Sequence, residues 1–223
     1  KTNVALSFYK TKELITFVTL KNNNLSSGKS LFKQTLIYGI ATVLPRMLSF
    51  FLVRLYTDYM PTNEYGKVSI IFSFMVFFNV VLSYGMETAF FRFYSKEDDK
   101  RKVISTSTIS LFWSTIGFLI LFLLFRKDLA LWSKINVEYI VFTIWILALD
   151  ALAIIPFSKI RAEGRPIKYA IIKILNVVIN LSLNIFFLAF LPNWATNTDN
   201  VFIQTIYHED FQIGYIFVSN LIA

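Results

Sequence analysis

The sequence predicts an all-α integral membrane protein: a polytopic bundle of five complete transmembrane helices and a truncated sixth. Three observations predict it. The 223 residues are 56% hydrophobic and only 16% charged, whereas soluble domains carry roughly 25% charged residues. Apolar runs recur at about 20 residues, the length that a helix rising about 1.5 Å per residue needs to cross a hydrocarbon layer roughly 30 Å thick. These runs are also uniformly apolar, whereas barrel strands alternate apolar and polar residues over about ten positions.

Taken in order, residues 1–27 form a poorly defined amino-terminal extension, because Val4–Phe8 and Leu14–Leu20 are too short to span and are interrupted by lysines. Such a segment suits an interfacial helix or a non-essential extension. The bundle occupies 28–223, with spans at about 34–56, 66–89, 103–125, 138–158, 166–191 and 211–223. Val68 to Met86 and Val103 to Phe125 carry no charge. The first span holds Arg46 and Arg54, the fourth Asp150, and the fifth has Lys168 and Lys173 in its first turns. The sixth is still apolar at Ala223, so the chain is expected to be a fragment, and the absent initiator Met agrees.

Breakers separate the spans. Pro61-Thr-Asn and Tyr65-Gly divide the first two, the charged run Lys96–Lys102 the next two, and Leu191–Asp210 is expected to be a longer polar loop. Gly164-Arg-Pro supplies a helix stop followed by a helix start, since Pro is favoured in a first turn.

Charge placement sets the orientation. With the amino terminus inside, the cytoplasmic side gains Lys29, Lys33, Arg92, Lys96, Lys100, Arg101, Lys102, Lys159, Arg161, Arg165, Lys168 and Lys173. The other side holds Arg54, Lys67, Arg126, Lys127 and Lys134, and its last loop is acidic through Asp199, Glu209 and Asp210. The formal charge of +8 is therefore topology and not a nucleic-acid surface. With no cysteine and a single histidine, His208, the chain offers no disulfide, no thiolate site and no histidine metal cluster. No metal or cofactor is expected.

Polar residues inside the spans are the candidate site, because a charge near the bilayer centre costs at least about 2.5–3.5 kcal/mol and normally faces a cavity or a partner. Arg46 follows Pro45, which interrupts the helical hydrogen-bond ladder, so the pair reads as a broken, cavity-facing segment or as an arginine paired for packing. Asn79, Ser83 and Glu87 stand at i, i+4 and i+8, as do Asn176, Asn180 and Asn184, so each trio shares one helix face. Both stripes suit a hydrated cavity or interhelical hydrogen bonding. Asp150 suits titration, cation coupling or an ion pair with Arg46. Arg161 and Arg165 could grip an anionic headgroup at the cytoplasmic mouth through the planar guanidinium fork, although the positive-inside rule alone accounts for them.

Several segments carry a family resemblance. Ser30-Leu-Phe-Lys-Gln-Thr-Leu-Ile-Tyr-Gly through Leu44-Pro-Arg-Met-Leu-Ser-Phe to Arg54-Leu-Tyr-Thr-Asp-Tyr-Met-Pro resembles the first helix of bacterial oligosaccharide flippases. These are the polysaccharide biosynthesis, or O-antigen transporter, proteins of the multidrug/oligosaccharidyl-lipid/polysaccharide exporter superfamily. Glu64-Tyr-Gly and Gly85-Met-Glu-Thr-Ala-Phe-Phe-Arg-Phe-Tyr resemble the ends of the second helix. Asp150 through Arg161-Ala-Glu-Gly-Arg-Pro resembles the fourth helix with its following loop, and Phe217-Val-Ser-Asn-Leu-Ile-Ala the sixth.

The resemblance implies a non-enzymatic transporter in the bacterial cytoplasmic (inner) membrane. Its substrate would be a lipid-linked oligosaccharide, usually on undecaprenyl pyrophosphate, moved to the periplasmic leaflet in surface polysaccharide (lipopolysaccharide) biosynthesis. This chain would supply the amino-terminal bundle of a two-bundle carrier. Arg46 would match an arginine of the related lipid II flippases, and the partners would be the substrate, the bilayer and other polysaccharide-assembly membrane proteins. Two rivals stand: a cation-coupled multidrug antiporter using Asp150 or Glu87, and a membrane polymerase or glycosyltransferase using His208, Glu209 and Asp210.

Overall fold

The computed structural model describes residues 32, 35–41, 43, 44, 47, 48, 50–197, 207, 208 and 211–223. The amino-terminal extension, Arg46, and most of the 198–210 segment lie outside the described residues. All described elements are helical. The described residues of the first predicted span are helical, and α1 denotes residues 50–59. It is followed by α2 (Thr62–Ser83), α3 (Met86–Lys96), α4 (Lys100–Leu124), α5 (Arg126–Ser133) and α6 (Val137–Ala162). Then come α7 (Pro166–Ile185), a π-helical turn at Phe186–Phe190, α8 (Leu191–Asn197) and α9 (Gln212–Ile222).

Four helical stretches are long and apolar enough to cross a membrane: Thr62–Lys96, Lys100–Leu124, Val137–Ala162 and Pro166–Ala195. The protein is a multi-pass membrane protein. Its surface agrees, since Phe50 and Leu124 are each 74% exposed and Leu131 79%. Large apolar groups exposed over so much of the surface find a solvent in lipid and not in water. The expected count of five spans and a truncated sixth is met only in part, because α9 has 11 residues and the first span is described piecemeal.

The helix ends follow from local chemistry. The Asp99 carboxylate accepts from the backbone N–H groups of Arg101 and Lys102, both at 3.1 Å, and so caps α4. The stop and start read from Gly164-Arg-Pro are realised in detail. Gly164 adopts φ +65°, Arg165 N–H donates to Ile160 O at 3.2 Å and Gly164 N–H to Arg161 O at 3.0 Å. This is a Schellman closure, and Pro166 then opens α7, where its missing N–H is not needed.

Two expectations change. The second span is not one straight helix, because Tyr84 (φ +31°) and Gly85 (φ +74°) are both left-handed and divide α2 from α3. Only Gly takes that conformation without penalty. Tyr84 is held there by its hydroxyl, which lies 3.3 Å from Ser110 Oγ and 3.4 Å from Ser114 Oγ on α4. The stretch after the third span forms a short helix, α5. The fifth span runs past Leu191, because the widened π turn lets the helix carry Pro192 without stopping.

α6 lies at the centre, touching α2, α3, α4, α5, α7 and α9. The main core joins Val68, Ile71 and Met75 of α2 to Ile146 and Leu147 of α6 and to Ile216 and Phe217 of α9. A smaller one joins Phe90, Leu111 and Ile155 and fixes α3 against α4 and α6. Together these cores clamp one side of α6, and its other side opens onto a cavity.

Candidate functional site

A cavity of about 850 Å³ lies between α2, α3, α6, α7 and α9. Asn79, Ser83 and Glu87, which the sequence spacing places on one face, all line it despite the break at Gly85. Asp150, Arg161, Lys173 and Asn176 line it as well. Asp150 is 13 residues into the 26-residue α6, so about 20 Å of helix lies on either side of it, which is mid-membrane depth. Arg161 sits near the end of α6 at the mouth, and Lys173 lies about 10 Å inside α7. Positive charge therefore extends from the mouth towards the middle of the cavity.

Each charge has a partner. At the mouth the Arg161 guanidinium pairs with the Glu87 carboxylate, and the same guanidinium stacks over Phe91 at 5.1 Å and Tyr169 at 5.9 Å. Deeper in, Asn79 Nδ2 donates to Asp150 Oδ2 at 3.2 Å. Lys173 Nζ lies 4.5 Å from the centre of the Phe157 ring and within Coulombic reach of Asp150. Two carboxylates and two cations nearly cancel while the site is closed on itself. Both cations remain in contact with the cavity, and an anion carrying more charge than a carboxylate can compete for them.

The second stripe divides. Asn176 is exposed to the cavity, whereas Asn180 and Asn184 are buried, Asn184 completely. Asn184 Nδ2 donates to Asn180 O at 2.8 Å and to Asn180 Oδ1 at 3.1 Å, and its Oδ1 accepts from Tyr56 OH at 3.0 Å. Asn180 Nδ2 in turn donates to Asn220 Oδ1 at 2.9 Å. This network ties α1, α7 and α9 together, which is the packing alternative for these residues.

The remaining sequence candidates fall elsewhere. Arg54 is highly exposed, 3.6 Å from Asp58 on its own helix, and lines neither this cavity nor the smaller one described below. Arg165 is likewise exposed and pairs with Glu163 at 3.2 Å, so of the two mouth arginines only Arg161 lines the cavity. The expectation for Arg46 falls on a residue outside those described. In the loop cluster, the His208 backbone N–H donates to Tyr215 OH at 2.8 Å, and Glu209 and Asp210 are outside the described residues. Among the described residues no group of three acids or histidines is placed to hold a metal.

Sequence reasoning gave Lys173 no role of its own and missed Asn220. Both carried a signal, since each is a strongly polar residue in a mainly apolar helical run.

The described residues thus form a multi-pass helical bundle with a charged cavity beside its central helix. The family model described as polysaccharide biosynthesis protein matches residues 31–206, and the chain belongs to that family. Neither the curated proteins nor the solved structures gave a match.

Proposed function

We propose that the protein is a flippase for a lipid-linked oligosaccharide, carried on a prenyl diphosphate such as undecaprenyl pyrophosphate, in the bacterial inner membrane. The observation that carries the reading is the cavity with Arg161 at its mouth and Lys173 inside it, in a member of a polysaccharide biosynthesis family. With the amino terminus cytoplasmic, as the basic flanks require, the Arg161 end opens to the cytoplasm. The diphosphate enters there, displaces Glu87 from the Arg161 fork and meets Lys173 further in, while the prenyl tail stays in lipid. Asn79, Ser83 and Asn176 offer hydrogen bonds to sugar hydroxyls. Rocking this bundle against a second one would then expose the cavity to the periplasmic leaflet. Transport needs no covalent chemistry from the chain, and no enzymatic step is assigned to it.

The test is made in the full-length protein. Arg161→Ala combined with Lys173→Ala, and separately Arg46→Ala, should abolish surface-polysaccharide export while membrane insertion is unchanged. Normal export by both variants would sink the assignment.

A second reading rests on the Asn79–Asp150 pair, a mid-membrane carboxylate open to the cavity. It is cation-coupled drug antiport, in which Asp150 exchanges a cation for a cationic substrate. Cation-dependent drug resistance that is lost in Asp150→Asn, with no glycan phenotype, would favour it over flipping.

A further inference from the structure

A smaller cavity of about 330 Å³ lies beside the charged one, between α1, α2, α7 and α9. Its walls differ in chemistry. Tyr65, Ser69 and Phe72 of α2 are spaced i, i+4 and i+7 and form one wall. The helices α7 and α9 contribute three amides to the lining: Asn176 and Asn180 on α7, and Asn220 on α9. Asn180 and Asn220 are held rigidly by their mutual hydrogen bond and by the Asn184–Tyr56 network behind them. Asn176 and Asn220 line both cavities, so the two spaces adjoin.

We propose that this crevice binds the first sugar of the lipid-linked substrate, the one attached directly to the diphosphate. The proposal rests on the flippase reading and names what the second cavity adds to it. A pyranose ring has an apolar C–H face and a rim of hydroxyls, and the crevice offers it both aromatic side chains and amides. An amide offers both donors and acceptors to such a rim. The volume lies at the lower end of the roughly 300–1,000 Å³ typical of ligand sites and suits one ring, not an oligosaccharide.

Position decides which ring. Lys173 and Asn176 are i and i+3 on α7, so their Cβ atoms are about 5–6 Å apart. A diphosphate held at Lys173 therefore presents its first sugar to Asn176 and the crevice. A lipid acyl chain is the poorer occupant, because it offers nothing to the donor and acceptor capacity that the Asn180–Asn220 and Asn176–Ala223 hydrogen bonds leave over.

The experiment measures binding to the full-length protein in detergent. The probes are undecaprenyl diphosphate alone and the same lipid bearing one N-acetylglucosamine, glucose or galactose. At least one sugar should tighten Kd about tenfold over the bare diphosphate. Phe72→Ala removes an aromatic face, and Val53→Trp fills the crevice from an exposed position on α1 without touching the amides. Each should erase the sugar gain and leave the bare lipid within twofold of wild type. The crevice assignment is overturned if no sugar tightens binding, or if the gain survives in both variants. It is also overturned if Val53→Trp weakens bare and glycosylated lipid equally, which would mark an acyl-chain groove. In these cases bare-lipid binding that is lost in the Arg161→Ala, Lys173→Ala protein leaves the flippase reading standing. Wild-type protein that binds none of the probes would overturn both.

Discussion

The cavity face of α2 and α3 and the amide face of α7 carry the same arrangement of polar residues, and the fold uses them in opposite ways. Asn79, Ser83 and Glu87 open on the large cavity. Asn184, two turns along α7 from the exposed Asn176, is fully buried and hydrogen-bonded to Tyr56 and Asn180. Equal spacing thus gives a polar face on each helix, but what packs opposite that face decides whether it meets a ligand or another helix. Residues that line only the large cavity should govern transport with little effect on stability, and Asn184, which lines neither cavity, should do the reverse.

The sharpest test of this division sits in the cavity. Removing Lys173 alone, as Lys173→Ala, should lower export at least tenfold in a cell-surface glycan assay. Its thermal midpoint in detergent should hold, since Lys173 is only half-buried. The counterpart is Asn184→Ala, which leaves the buried Tyr56 hydroxyl without its acceptor. A loss of about 1–3 kcal/mol of stability is expected, read as a lower thermal midpoint, with export per folded molecule unchanged. Equal loss of stability in the two variants would erase the distinction.

Gly85→Ala probes the break that turns the cavity stripe. An added Cβ meets nothing within 4 Å, so the whole effect comes from φ +74°. The left-handed backbone with a side chain costs roughly 1–2 kcal/mol, again visible as a lower midpoint. The smallest effect is predicted for Arg165→Ala. It pairs with neighbouring Glu163 at the surface, and such pairs contribute about 0–1 kcal/mol. Export within twofold of wild type would separate it from Arg161, which the same short sequence motif makes look equivalent.

Much of the fold was legible because lipid imposes a simple rule. A spanning segment must be long, apolar and internally hydrogen-bonded, so the spans at 103–125 and 138–158 stand close to α4 and α6. The turn at Gly164 was legible for a local reason, since Gly and Pro restrict their own backbone. The break at Tyr84 was not, because a tyrosine gives no sign of a positive φ and is held there by hydroxyl contacts to Ser110 and Ser114 of another helix. The π turn before Pro192 was equally silent, as nothing in Phe186–Phe190 departs from an ordinary apolar run.

For the site, sequence by itself determined which polar residues share a helix face, because a helical face is a matter of spacing along one chain. It also marked every charge that lipid alone would not tolerate. The tertiary structure alone decided the pairings: Glu87 with Arg161 across 74 residues, Asn79 with Asp150 across 71, and Tyr56 with Asn184 across 128. It also parted Asn176 from Asn184 and Arg161 from Arg165. The physical reason is that exposure in a bundle depends on the neighbouring helix, and no periodicity within one helix specifies which neighbour will stand opposite.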